Sequence, residues 1–256
     1  MNTDAASRRA IDNAERYGYL PALRAQAQAI CAPFWWHGHD EAGTYRILHN
    51  GTLSFVDTGR RKLGITADHV LAQYLEDVAR DPNIVCQFGS APVDIRSRVI
   101  ARDRDLDLAT IEVSDVLVGP SGASFHAPPE WPPVPVAEGE VVLCGGYPGR
   151  VRVEHEVSAD LPFQWFIGRA TSVSAHNVSL HLNFDSMHMP LGDAESLNRV
   201  IGGMSGGPLF RFVSAPIEHL VQVGVIYQYH ESYELILARP ISLIKDEGSI
   251  APEHAV

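Results

Sequence analysis

Lysine is nearly absent from this chain: Lys62 and Lys245 are the only two among 20 basic residues, and the rest are arginine. Positive charge is outweighed as well, since 31 Asp and Glu leave a formal net charge of −11. Such a surface repels a phosphate backbone over most of its area, which argues against nucleic acid as a partner. Long apolar runs are missing. Nothing approaches the roughly 18 consecutive apolar residues of a membrane helix, and the longest candidates, such as Val141-Val142-Leu143-Cys144, have strand length. The Arg8-Arg9 pair is followed by no apolar segment of the kind a secretory leader requires. Cysteine is scarce: Cys31, Cys86 and Cys144 are odd in number and far apart, in neither a disulfide nor a metal pattern. A reducing, cytoplasmic setting is expected, in which the Asn50-Gly51-Thr52 and Asn177-Val178-Ser179 sequons stay unmodified. His37, His39 and Asp40 lie close together, but no second ligand cluster accompanies them, so neither a metal nor another cofactor is expected.

What the chain does have is a change of rhythm. Its 256 residues, 45% hydrophobic, suffice for a sizeable core. Leu20, Leu23, Ala27 and Ile30 recur on one helical face, and a further helix is expected over about 5–16. From Pro33 onward short alternating runs take over, with a hairpin expected at His49-Asn50-Gly51 and a short helix from Val70 to Arg80. Six prolines between Pro120 and Pro135 make residues 115–139 a connector in which neither helix nor central strand is expected. More strands follow, then a short helix around 240–246. The pattern predicts an all-β fold of two packed β-barrels behind a helical extension. The expected divisions are 1–33 for the extension, 34–114 for the first barrel, 115–139 for the linker and 140–256 for the second barrel.

The most informative stretch is Gly203-Met204-Ser205-Gly206-Gly207-Pro208. Its glycines let the backbone turn tightly, exposing the Ser205 hydroxyl and letting the amides of Gly203 and Ser205 converge on one oxyanion. The plainer reading is a Gly-rich β-turn. A serine nucleophile needs a base. Of 12 histidines, His69 stands at a strand end before a helix, where a side chain faces a cleft. The third member should be a carboxylate that fixes the imidazole tautomer. Asp107 enters an otherwise apolar strand, Leu106-Asp107-Leu108-Ala109, and Asp105 competes with it.

Thr66-Ala67-Asp68-His69, Asp107-Leu108-Ala109 and Gly203-Met204-Ser205-Gly206-Gly207-Pro208 resemble the three signatures of the trypsin/chymotrypsin-like serine peptidases, in that family's order His, Asp, Ser. Gly145-Gly146-Tyr147-Pro148-Gly149, Phe166-Ile167-Gly168 and Val223-Gly224-Val225-Ile226 are similar to second-barrel strands of the bacterial Deg-type branch. The resemblance implies a chymotrypsin-like double β-barrel and an intracellular serine endopeptidase acting on polypeptides. It also implies His69, Asp107 and Ser205 as the triad. A catalytically silent trypsin-fold module for binding or sensing is the rival from another class. The chain departs from the pattern in places. Met204 stands where digestive relatives carry an Asp that pairs with a newly cut N-terminus, so no such cleavage is expected. No PDZ module is expected after the last strand and helix, where about a dozen residues follow. Asp68 is expected to serve as a helix-start carboxylate, and the Arg96, Arg98, Arg102, Arg104 series as a solvent face. Counting back from Ser205 reaches Arg199 as a candidate pocket base, with Tyr227 near the pocket entrance.

Overall fold

The chain enters through helix α1 (Tyr19–Ala29), whose Leu20, Leu23 and Ala27 are buried on one face, as their spacing predicts. The computed structural model describes residues 18–40, 42–155, 159–181, 201–213 and 219–251, so the helix expected over 5–16 lies outside the described residues. The first half is one antiparallel sheet built from β1 (Cys31–His39), β2 (Tyr45–Asp57), β3 (Lys62–Thr66), β4 (Val85–Phe88), β5 (Ala91–Pro92), β6 (Val99–Asp103) and β7 (Leu108–Glu112). Its order is β5-β4-β1-β2-β3-β7-β6. Helix α2 (Asp68–Arg80) buries Val70, Leu71, Tyr74 and Val78 in the same core as Phe34, Trp36, Phe55 and Phe88.

The second half contains β8 (Val141–Gly146), a small ribbon of β9 (Val153–Glu154) and β10 (Ala159–Asp160), then β11 (Gln164–Val173), β12 (Val178–His181), β13 (Pro208–Val213), β14 (His219–His230) and β15 (Leu235–Pro240). Six of these close into a barrel in the order β11-β12-β15-β14-β13-β8. Its core includes Cys144, Phe166, Leu209, Ile226 and Ile236. The predominance of short strands and the two-part β architecture agree with the sequence pattern.

Three local expectations are corrected. No turn occurs at His49-Asn50-Gly51, because β2 runs straight through it, and the hairpin closes at Asp40–Thr44 instead. Gly51 serves close packing here: a Cβ would sit 2.5 Å from Val70 Cγ1, so the glycine lets α2 lie against the strand. The helix expected at 240–246 is a single 3₁₀ turn, Ile241–Leu243, whose Ile241, Leu243 and following Ile244 instead enter an apolar cluster with Leu63, Ile65 and Leu108 of the first sheet. The connector is not free of helix, since Asp115–Val118 forms one turn (α3) ahead of its prolines.

The first and last described segments cross over. α1 packs on the second barrel, against Leu143, Tyr147, Phe163 and Trp165. The segment after β15 folds onto the first sheet, where Thr110 donates to the Gly248 carbonyl at 2.6 Å and Thr58 to the Asp246 carbonyl at 2.6 Å. Each half is thereby covered by a described segment adjoining the other.

Candidate active site

A cleft of about 840 Å³ between the halves is lined by His69, Asp107, Ser205, Tyr227 and Arg239, among others. His69 arrives on the first turn of α2. The residue before that helix, Ala67, offers no side-chain cap, so the amides of the first turn must be satisfied from elsewhere. Asp107 supplies one acceptor. One of its carboxylate oxygens accepts the His69 backbone N–H at 2.8 Å, and the other pairs with His69 Nδ1 at 2.7 Å. A single carboxylate therefore orients both the backbone and the ring of His69, and favours the tautomer with the proton on Nδ1.

Asp107 does not lie inside a strand. It immediately precedes β7, at the end of a turn, with φ +50°. That left-handed backbone costs an ordinary L-residue on the order of 1–2 kcal/mol, less for Asp, so the surroundings must hold it. Asp105, the competing carboxylate, sits in the exposed part of the turn and its side chain does not meet His69.

Ser205 is fixed by its backbone. The Ser205 carbonyl accepts from Thr52 N at 2.9 Å, which ties the turn to β2 of the opposite half. Gly206 has φ +91°, and a Cβ there would lie 1.9 Å from the Thr52 carbonyl oxygen, so only glycine fits. Gly203, at φ +101°, is equally confined, between Asn50 Nδ2, Gly149 N and the Tyr147 carbonyl. The Gly202 carbonyl accepts from Gly149 N at 2.8 Å, which turns the Gly203 N–H of the same trans peptide the opposite way. Among the described residues, neither the Gly203 nor the Ser205 amide donates to a backbone carbonyl. Met204 is fully buried in the second core, an apolar anchor where a charge would have no partner.

Ser205 and His69 line the same cleft without a hydrogen bond between them. The Ser205 hydroxyl donates to the Tyr227 carbonyl at 3.4 Å. The register between β14 and β15 slips between Ile226 and Gln228, and this bulge aims the Tyr227 carbonyl at the serine. Tyr227 itself is turned toward Arg239 and Asn177, and burial pushes its phenol above the ordinary value. Arg199 lies outside the described residues.

Several residues that build the cleft went unrecognised in the sequence. Asp68 is more than a helix-start carboxylate: it is buried and forms a two-pronged pair with Arg102, at 2.6 and 3.1 Å. Arg102 therefore does not belong to a uniformly solvated arginine face. Thr52 joins the halves through its hydroxyl, which donates to the Gly203 carbonyl at 3.1 Å and accepts from Tyr147 N at 2.9 Å. No sequence signal singles out Thr52, which is one of several polar residues in β2. Among the described residues no group of His, Cys, Asp and Glu is arranged to hold a metal ion, and no helix is long and apolar enough to cross a membrane.

Comparison with known proteins agrees with the architecture. The family of trypsin-like peptidase domains matches residues 16–213, which spans both halves of the cleft and includes His69, Asp107 and Ser205. No curated protein matches the chain. With most of its length inside that match, the chain belongs to the trypsin-like peptidase domain family.

Proposed function

We propose that the protein is a serine endopeptidase that hydrolyses polypeptides through an acyl-enzyme. Ser205 Oγ attacks the scissile carbonyl carbon, and His69 Nε2 takes the hydroxyl proton. The Gly203 and Ser205 amides receive the oxyanion. On collapse, the C–N bond breaks and His69 returns the proton to the departing amine. Water then repeats the sequence on the ester, releasing the acid and restoring Ser205. Asp107 holds His69 in the tautomer that makes this possible. The observation that carries the reading is the double grip of Asp107 on the backbone and ring of His69, across the cleft from Ser205. The buried Met204 supports action without an activating cut, because the nucleophile turn is anchored by packing and not by an ion pair. Three unpaired, buried cysteines support a reducing compartment.

A second reading, a silent module that binds peptides without cutting them, is favoured by one feature: the Ser205 hydroxyl rests on Tyr227 and not on His69. For turnover it must rotate to another staggered position. Hydrolysis of fluorescently labelled casein separates the two. Ser205→Ala and His69→Ala should each lose a factor on the order of 10⁶ in kcat, and Asp107→Asn on the order of 10⁴. Turnover equal in wild type and Ser205→Ala would refute the enzyme.

A further inference from the structure

Arg239 is the one buried cation in the cleft wall, among the described residues, that the peptidase reading leaves without a task. It stands on β15 and reaches into the opposite half of the molecule. Its Nε donates to the Leu106 carbonyl at 2.5 Å and its Nη2 to the Asp105 carbonyl at 3.3 Å. On the other side Nη1 donates to the His176 carbonyl at 3.0 Å and to Asn177 Oδ1 at 2.9 Å. The guanidinium lies 4.1 Å from the centre of the Tyr227 ring, whose hydroxyl donates to that same Asn177 oxygen at 2.9 Å. Burying a guanidinium is tolerable only when its donors are met, and its planar fork can meet acceptors on two sides at once.

The two carbonyls it holds in the first half are those immediately before Asp107. They belong to the peptide planes that lead into the left-handed residue, so fixing them fixes the direction in which Asp107 leaves the turn. We propose that Arg239 is a positioning residue for the Asp107–His69 pair: it ties the Asp105 and Leu106 carbonyls to the second barrel and so keeps the Asp107 carboxylate aimed at His69. The catalytic consequence rests on the triad reading above, whereas the structural consequence does not. Because the guanidinium belongs to one half and the turn to the other, Asp107 reaches His69 only when the halves are docked. The asparagine and tyrosine beside Arg239 act through it, by setting its plane.

The test uses the whole chain and two readouts. One is the downfield proton resonance of His69 Nδ1–H in its bond to Asp107, which needs no turnover, with Asp107→Asn as the reference for its loss. The other is casein hydrolysis. Arg239→Gln, with its fold checked by circular dichroism, should lose or broaden the resonance. Its kcat should fall on the order of 100-fold while KM stays within about twofold. Arg239→Lys, which keeps the charge but not the fork, should fall between Gln and wild type. Placed on Asp107→Asn, Arg239→Gln should cost less than about twofold more, because the residue acts through Asp107. A folded Arg239→Gln with the wild-type resonance, or losses that simply multiply in the double variant, would overturn the inference. So would a wild type that lacks the resonance. A resonance present in wild type and lost in Arg239→Gln, in a chain that never cleaves casein, would uphold the positioning role while removing the peptidase. If Arg239→Gln does not fold, Asn177→Ala decides: it removes one acceptor and should weaken the resonance, and an unchanged resonance there would overturn the proposal.

Discussion

The turn that carries Ser205 and the turn that carries Asp107 face the same cleft and are held in opposite ways. The Ser205 turn is confined by its own backbone: the Gly203, Met204, Ser205, Gly206 and Gly207 peptides are engaged by Thr52, Ile201 and Ile226 or by one another, at contacts of 2.7 to 3.1 Å. The Asp107 turn is held by side chains. Asp103 caps it from within, accepting from the Asp105 and Leu106 amides at 3.0 and 2.9 Å, while the buried Leu106 and distant Arg239 fasten it to the rest. The proposed nucleophile and oxyanion donors need backbone groups at fixed points, which close packing around glycine provides. A carboxylate that only orients a ring is served by a turn that a few side chains aim.

The difference should appear in how each turn fails. Gly206→Ala carries the largest expected effect, because its Cβ would fall 1.9 Å from the Thr52 carbonyl oxygen at a φ of +91°. A loss on the order of 4 kcal/mol or more in urea unfolding is expected, with no activity in what remains folded. Gly168→Ala is the control: nothing lies within 4 Å of its Cβ, and stability should stay within about 0.5 kcal/mol. Equal behaviour of the two would show that the Ser205 turn is not confined as described.

Thr52→Val keeps the shape of a fully buried residue but removes the hydroxyl between the Gly203 carbonyl and the Tyr147 amide. Leaving both groups unpaired should cost about 2 kcal/mol in the same measurement. The Asp107 turn makes no contact with that hydroxyl, so the His69 Nδ1–H resonance should persist in Thr52→Val, sharpening the contrast with Arg239→Gln.

An effect confined to acid pH, and absent at neutrality, belongs to the seam away from both turns. His126 Nε2 accepts the Gln222 backbone N–H at 3.2 Å, and burial, assisted by His219, pushes its pKa from 6.5 down to about 4. The folded state thus prefers the neutral ring. Above pH 6.5 both folded and unfolded states hold it neutral, and its contribution is complete. As pH falls toward 4 the unfolded chain takes up the proton first, and stability declines by at most roughly 3 kcal/mol. His126→Gln should flatten unfolding free energy across that window, and an unchanged pH profile would remove His126 from the account.

The same contrast explains what was legible in the sequence. The Ser205 turn announces itself because positive φ and close approach both demand glycine at neighbouring positions, a local requirement written in consecutive residues. The strand-end setting of His69 is visible in the sequence, whereas the apolar neighbours of Asp107 make it read as a strand residue and hide its left-handed turn. Arg239 was not legible at all, since its acceptors Asp105 and Leu106 lie more than 130 positions earlier. Asn50-Gly51 misled for a related reason. Its turn propensity is real, but Tyr147, Arg152 and Val70 hold those residues extended within β2. Local chemistry marked the elements, and the partners brought by folding decided which preferences prevailed.

The central claim, that Ser205 is an armed nucleophile in the uncleaved chain, is tested most directly by fluorophosphonate labelling read by intact mass and peptide mapping. The account predicts one adduct, on Ser205, in the uncleaved protein, and none in His69→Ala. A folded chain that stays unlabelled, or one labelled only after removal of its N-terminal segment, would contradict it.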